Sequence, residues 1–488
     1  MSERLVVIGG GAAGSSVAAK ARRSRPDLEV HMFERGPHVS YMSCPTPYYI
    51  AGRIADAGRL VARTPEQFER SGVRVHLGTA ITAIDFARGI VRAEHGQGAR
   101  GERGHGESAG GESWPFDYLA YASGASSLVP RIPGIEHEAV VTLKDLKDAV
   151  RIKEAIRARG ARSAIILGAG LIAMEMAETF RALGLETRIL HHADRPLRRL
   201  TPSFSETIRK ELEKQGVEYL PETEAIAIEP ACGEAQPAGA LRSPGTAEGR
   251  ACGARVHTSD GRAFEADLVL AALGIRPNVD LAREAGIALG SSGAIATDDR
   301  MRATVSGDSG RAPAAGRVYA AGDCAEAWHR ILRKPVFFPF GDVANRQGRV
   351  AGSNIAGQEA RFPGVVGSWC CKIFDLEVAH SGLCDEEAQA AGIDMISAQV
   401  TASTRARAYP GSQPVQLRIL AERTTGRLLG AQAIGTEGAV SRVNVVAAGL
   451  HRGMTLEELA QIDLCYAPPY APAWDPLHLA ASEALKSS

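Results

Sequence analysis

Two short glycine turns constrain this chain more than any other feature. The first, Gly9-Gly10-Gly11-Ala12-Ala13-Gly14, follows the apolar strand Leu5 to Ile8, opens an Ala-rich helix to about Arg23, and leads to a strand from Glu29 to Phe33. The second, Gly168-Ala169-Gly170-Leu171-Ile172-Ala173, lies between strand Ser163 to Leu167 and a helix to about Ala182, with strand Thr187 to Leu190 beyond. Each is a βαβ unit, and two such units imply two nucleotide-binding domains. In the first, Gly9 makes the tight turn, Gly11 lets the backbone approach a pyrophosphate, and Gly14 lets helix meet strand. Glu34, twenty residues after Gly14, can accept from a ribose hydroxyl. In the second, Gly168 and Gly170 take the first two duties and Ala173 the third.

The second unit lacks an acidic residue at the end of its second strand. His191-His192 stand there, followed by Asp194, Arg195, Arg198 and Arg199. Cations in place of an acid favour a ribose 2′-phosphate, hence NADPH over NADH; a solvated basic loop is the alternative, and Asp194 can still supply the acid. Farther on, Val318 to Asp323 reads as a strand ending in Gly322-Asp323. Its carboxylate can hold the ribityl hydroxyls of a flavin, while Gly322 admits the backbone to the pyrophosphate. The strand Asp267 to Ala272 with Gly274 behind it, and the segment around Ser123-Gly124, read as crossovers joining such domains.

With 488 residues, 45% of them hydrophobic, the chain has room for about three domains with real cores. Fifty-six basic and 56 acidic residues cancel, which removes the usual electrostatic argument for nucleic acid or an anionic membrane. Eight cysteines without a regular framework point to a reducing compartment. The chain enters its first strand without a leader, and no apolar run reaches the 18 or so residues that cross a bilayer, so a cytoplasmic location is expected. Glu94 to Ser113 and Pro230 to Ala254 are Gly-rich and polar, and are expected to be elongated hairpin loops. Ser306 to Gly316 is a weaker patch of this kind. After about Gly364, strand-rich stretches and a helix from about Ser441 read as a separate α+β domain.

From Leu5 to about Pro476 the sequence resembles the pyridine nucleotide-disulfide oxidoreductases, and within them the single-cysteine branch of coenzyme A disulfide reductases, NADH oxidases, NADH peroxidases and persulfide or polysulfide reductases. The deciding segment is Val39 to Gly52, VSYMSCPTPYYIAG, with one cysteine, Cys44; Tyr49 stands where two-cysteine relatives carry a second thiol. Further matches are Gly341 to Gly357, Lys372 to Leu376, Tyr409-Pro410-Gly411 and Leu464 to Pro469. The resemblance implies an α/β fold of two Rossmann-like domains, for FAD and NAD(P), plus a C-terminal α+β dimerisation domain. Expected boundaries are 1–145 with 275–360 for FAD, 146–274 for NAD(P) and 361–488 for dimerisation.

Cys44 precedes a Pro-bounded turn that opens a helix, where unpaired N–H groups and the helix dipole favour the nucleophilic thiolate. The resemblance implies a homodimer in which Tyr466 reaches the partner's flavin site as proton donor or substrate clamp, with Tyr409 a second match to the branch; buried packing beside prolines is the alternative. It also places Ala344 at the flavin and Glu175 near the nicotinamide, with Leu171 where an aromatic gate is common. Ser16, Lys20, Arg23, Ser40 and Ser43 fall at coenzyme A contacts; Lys20 and Arg23, three apart on one helix face, could bind a phosphate together. Ala12 replaces the histidine of the peroxidases, which removes their acid. Polysulfide reductases of the branch often carry an added rhodanese domain; this sequence ends soon after the dimerisation segment, so persulfide delivery in cis is not expected. Cys370-Cys371 read as buried strand thiols, with an accessory redox pair as the alternative, and no metal site is expected. The expected activity is NAD(P)H-dependent, FAD-mediated reduction of coenzyme A disulfide, or of a related persulfide or polysulfide. A water-forming NADH oxidase and a non-catalytic flavin-bound redox sensor are the alternatives.

Overall fold

The computed structural model describes residues 2–95, 111–231, 252–305 and 316–487. Its first sheet is wholly parallel, in the order Val318–Ala320, Tyr118–Tyr121, Arg4–Ile8, Glu29–Glu34, Val73–Leu77. The second repeats the arrangement with Val217–Leu220, Glu186–Leu190, Ser163–Leu167, Leu268–Ala271 and Val140–Val141. The central strands are short aliphatic runs, and Leu5, Val6, Val7, Ile165 and Ile166 are all fully buried. Strands of this composition suit a parallel sheet covered on both faces, and each fully buried Leu or Ile contributes roughly 1.5–3 kcal/mol. In both sheets the strand order reverses at the central strand. This leaves a crevice beyond its carboxyl end, and each glycine turn leaves its sheet there.

The last sheet is antiparallel: Trp369–Ile373, Leu376–Gly382, Leu428–Gly435, Pro414–Glu422, Met395–Ser403. Helices Ala439–Arg452 and Pro476–Leu485 pack on it through Val443, Val446, Leu477 and Ala481. Every residue of Leu428–Gly435 is buried, because its other face meets the second sheet's neighbourhood. There the Thr201 amide donates to Gln432 Oε1 at 2.8 Å, and Gln432 Nε2 donates to the Arg199 carbonyl at 2.8 Å.

Three local expectations change. The strand Glu112–Pro115 begins inside the stretch expected to be loop and pairs with Ile90–His95. Val140–Val141 joins the second sheet from before the boundary expected at 146. Cys370 and Cys371 point to opposite faces of their strand, so Cys371 is buried and Cys370 exposed. Ala225–Pro230 and Ala254–Thr258 pair antiparallel. The expected hairpin loops between the paired strands, at 96–110 and 232–251, and most of the third patch, at 306–315, lie outside the described residues.

Candidate active site

Each glycine turn has the shape its duties require. Gly9 has φ +99°, and a Cβ there would stand 2.2 Å from the Ala122 carbonyl oxygen; one on Gly14 would stand 1.8 Å from the Gly9 oxygen. Gly11 faces nothing within 4 Å and begins the helix Ala12–Ser24 without a side-chain cap. The helix therefore presents free N–H groups to a cleft, which suits a pyrophosphate. The second turn matches: Gly168 has φ +100°, Gly170 faces open space at an uncapped helix start, and Ala173 is buried.

Around the first turn, Glu34 accepts from the Gly10 amide at 2.8 Å and the Gly36 amide at 2.7 Å, so its carboxylate borders the cleft. Gly322, at φ +86°, packs against Ala13, where a Cβ would come within 2.7 Å, and Ala344 lines the same contact. Asp323 pairs with Lys144 Nζ at 2.8 Å, a partner the sequence motifs do not mark. Ser123 donates to the Asn278 carbonyl at 2.7 Å, the Asn278 amide donates to the Gly124 carbonyl, and Gly274 has φ +106°. These groups fit FAD: an open glycine cradle, a ribose-side carboxylate and a second carboxylate beyond it.

Cys44 is tied to that cradle. Ser40, at φ +47°, donates from its amide to the Gly10 carbonyl at 2.7 Å, and a Cβ on Gly341 would stand 4.0 Å from Cys44 Sγ. The thiol is exposed, yet its pKa is raised, first by burial among surrounding groups and then by the Glu175 carboxylate; Ser43 and Lys144 pull it back. This corrects the expectation that the helix start acidifies it. The following helix, Thr46–Ile50, is one turn long, and its small dipole loses to desolvation.

Glu175 is pushed up to about 7, first by burial and then by Glu178. Glu178 Oε1 holds Arg53 and Lys372, each at 2.8 Å, and its Oε2 accepts from the Phe374 amide at 3.0 Å. One carboxylate on the helix Leu171–Ala182 thus fastens the segment after Cys44 to the last sheet. Thr179 adds a hydrogen bond to the Pro47 carbonyl at 3.1 Å.

At the other end of the second cleft the basic residues separate. Arg195 pairs with Asp194 and Glu386, and Arg199 with Glu387, so both bind the last domain. His191 is buried, driven down to about 4 by desolvation, and therefore neutral at pH 7; its Nδ1 has no partner among the described residues. Arg198 and His192 remain exposed.

Ser16 donates to Asn345 Oδ1 at 2.8 Å, Lys20 is half-buried and Arg23 exposed on the same helix. That helix lies close along Gly341–Ile355, because Gly348 and Gly352 leave room for the Ala13 and Val17 carbonyls. Tyr409 and Tyr466 are 39% and 55% exposed on neighbouring loops, joined where the Ala406 amide donates to the Pro468 carbonyl at 3.2 Å. Within one chain neither is buried at the Cys44 cleft.

Two parallel dinucleotide folds flanking a cysteine segment, with an antiparallel domain closing one side, define a nucleotide-dependent thiol oxidoreductase. The pyridine nucleotide-disulphide oxidoreductase profile matches residues 3–336, and the dimerisation-domain profile of the same family matches residues 369–477. The chain belongs to this family, whose members work with FAD and a pyridine nucleotide. It is 36% identical over 478 residues to the CoA-dependent NAD(P)H sulfur oxidoreductase of Pyrococcus abyssi, covering 98% of this chain and 97% of that one. It is 30% identical over 485 residues to an NADH oxidase of Methanocaldococcus jannaschii, covering 99% of each. The structure of a NAD-dependent persulfide reductase from A. fulgidus superposes with a TM-score of 0.88 at 32% identity, over 99% of this chain and 83% of that one. Among the described residues no helix is long and apolar enough to cross a membrane.

Proposed function

We propose that this enzyme reduces coenzyme A disulfide, or a coenzyme A persulfide or polysulfide, through Cys44. The observation that carries the reading is an exposed thiol on a loop whose Ser40 amide is hydrogen-bonded to the dinucleotide cradle, with Tyr49 where a second thiol would stand. FAD, when bound, supplies the electron relay between the nicotinamide and sulfur. Gly9, Gly11, Gly14, Glu34, Ser123, Gly124, Gly322, Asp323 and Ala344 hold it. Gly168, Gly170, Ala173, Glu175, Gly274, His191 and Arg198 serve the pyridine nucleotide. We assign residues 1–145 with 275–360 to the FAD domain, less the strand Val140–Val141, which joins 146–274 in the NAD(P) domain, and 361–488 to the dimerisation domain.

The Cys44 thiolate attacks one sulfur of the substrate disulfide, forming a mixed disulfide and expelling one thiolate. Two electrons then cleave the mixed disulfide, restoring the Cys44 thiolate and releasing the second thiolate, and each departing thiolate takes one proton. Ser16, Lys20, Arg23, Ser40 and Ser43 bind the coenzyme A portion, and Tyr466 and Tyr409 of a homodimer's partner close the site. The Pyrococcus abyssi relative's name, a CoA-dependent sulfur oxidoreductase, supports this substrate class. A water-forming NADH oxidase is the second reading; the Methanocaldococcus relative's name, NADH oxidase, favours the oxidase part of it. Anaerobic NAD(P)H consumption against coenzyme A disulfide, coenzyme A persulfide, polysulfide and glutathione disulfide tests both. Turnover of a coenzyme A species is expected; turnover only when oxygen is admitted overturns the first reading.

A further inference from the structure

We propose that Arg442 is a positioning residue for disulfide reduction: its buried guanidinium holds together the two loops that present Tyr409 and Tyr466. The proposal rests on the functional reading above. Arg442, on the helix Ala439–Arg452, is 6% exposed. Its Nε donates to both Asp475 oxygens at 3.2 and 3.1 Å, Nη2 to Asp475 Oδ2 at 2.9 Å and the Thr404 carbonyl at 3.2 Å, and Nη1 to the Gly438 carbonyl at 3.0 Å. Glycine suits position 438, which has φ +75°, and a Cβ there would also press on Nη1 at 2.4 Å.

Each acceptor controls a loop. Asp475 ends the segment carrying Tyr466, Tyr470 and Trp474, and caps the helix Pro476–Leu485 through the Leu477 amide at 3.0 Å. Thr404 opens the loop carrying Tyr409, which closes where the Thr404 amide donates to the Gln413 carbonyl at 2.8 Å. Arg405 pairs with Glu437, beside Gly438, at 2.6 Å, and the Ala406–Pro468 hydrogen bond stitches the loops directly. Tyr409, Tyr466, Tyr470 and Trp474 are 39%, 55%, 79% and 65% exposed within one chain, so their own chain's packing supports these loops little and the Arg442 fork supplies the register. A well-packed apolar pair would serve stability as well as this buried ion pair. What apolar groups cannot do is hold two carbonyls and a helix cap at fixed directions.

The test compares Arg442→Lys, Arg442→Met and the double variant Arg442→Met/Asp475→Leu with the parent holoenzyme. With coenzyme A disulfide, kcat/KM should fall about 10- to 100-fold, mainly through KM, the scale of a misplaced contact. FAD content, flavin reduction by NAD(P)H and the sedimentation mass should stay unchanged. The double variant, which removes the unpaired carboxylate but also the cap on the Leu477 amide, should recover only part of the melting temperature lost in Arg442→Met and none of the kcat/KM. Recovery of both, or an unaltered KM in Arg442→Lys, overturns the proposal and shows a structural pair only. A parent enzyme with no coenzyme A disulfide activity overturns the functional reading instead.

Discussion

At the scale of single residues, Cys44 and Glu175 stand in electrostatic opposition. Burial and the Glu175 carboxylate both raise the thiol, so the thiolate is favoured when Glu175 holds a proton. Cys44→Ser should keep FAD and its reduction by NAD(P)H, because neither glycine turn contains the thiol, yet abolish disulfide reduction, as rapid mixing of each half-reaction would show. A parental rate in that variant would make Cys44 structural. Glu175, held at about 7 against an ordinary 4.5, keeps a proton in the folded chain that the unfolded chain releases. Its contribution to stability is therefore whole below pH 4.5 and is lost as pH rises through 7. Glu175→Gln should match the parent below pH 4.5 and exceed it at pH 8 by up to about 3 kcal/mol in denaturant titrations. An equal gap at both ends would exclude titration of this group.

At the scale of elements, the two kinds of glycine in the first turn separate folding from binding. A side chain on Gly14 collides with backbone at 1.8 Å, whereas one on Gly11 meets no protein atom within 4 Å. Gly11→Val should therefore leave the secondary structure intact while the purified protein loses most of its bound FAD, read from the ratio of flavin to protein absorbance. Full flavin occupancy would mean the pyrophosphate passes elsewhere. The cysteine segment is a dependent element, too short to hold its own shape. Its five-residue helix is held by Thr179, by Glu178 through Arg53, and by Lys153, which donates to the Tyr49 carbonyl at 2.9 Å.

At the scale of the whole molecule, the nucleotide domain spends charge on its neighbour. Arg195 and Arg199 serve ion pairs to Glu386 and Glu387, while Arg198 and His192 stay exposed, and Arg198 is the cation we propose for a 2′-phosphate. NADPH should still be used at least as well as NADH. Arg198→Ala should lower kcat/KM for NADPH about tenfold, the worth of one charge-assisted hydrogen bond, and spare NADH. Arg195→Ala should leave cofactor choice unaltered. Steady-state kinetics with both cofactors checks the pair, and a larger effect from Arg195 would reverse the assignment.

The sequence alone determined the two βαβ units, the duties of Gly9, Gly14 and Gly168, and the strand-rich last domain, because these follow from local rules: glycine's access to positive φ, aliphatic runs that must be buried, and short spacing along one chain. The solitary Cys44 was legible for the same reason. Its raised pKa was not, since that depends first on burial among groups that folding gathers and then on Glu175, which is distant in sequence and adjacent only after folding. Lys144 on Asp323, Glu178 between Arg53 and Lys372, and Arg442 between two loops were equally hidden. Each looks like an ordinary surface charge in the sequence; only the tertiary structure decides which charges are buried, and a buried charge must find its partner.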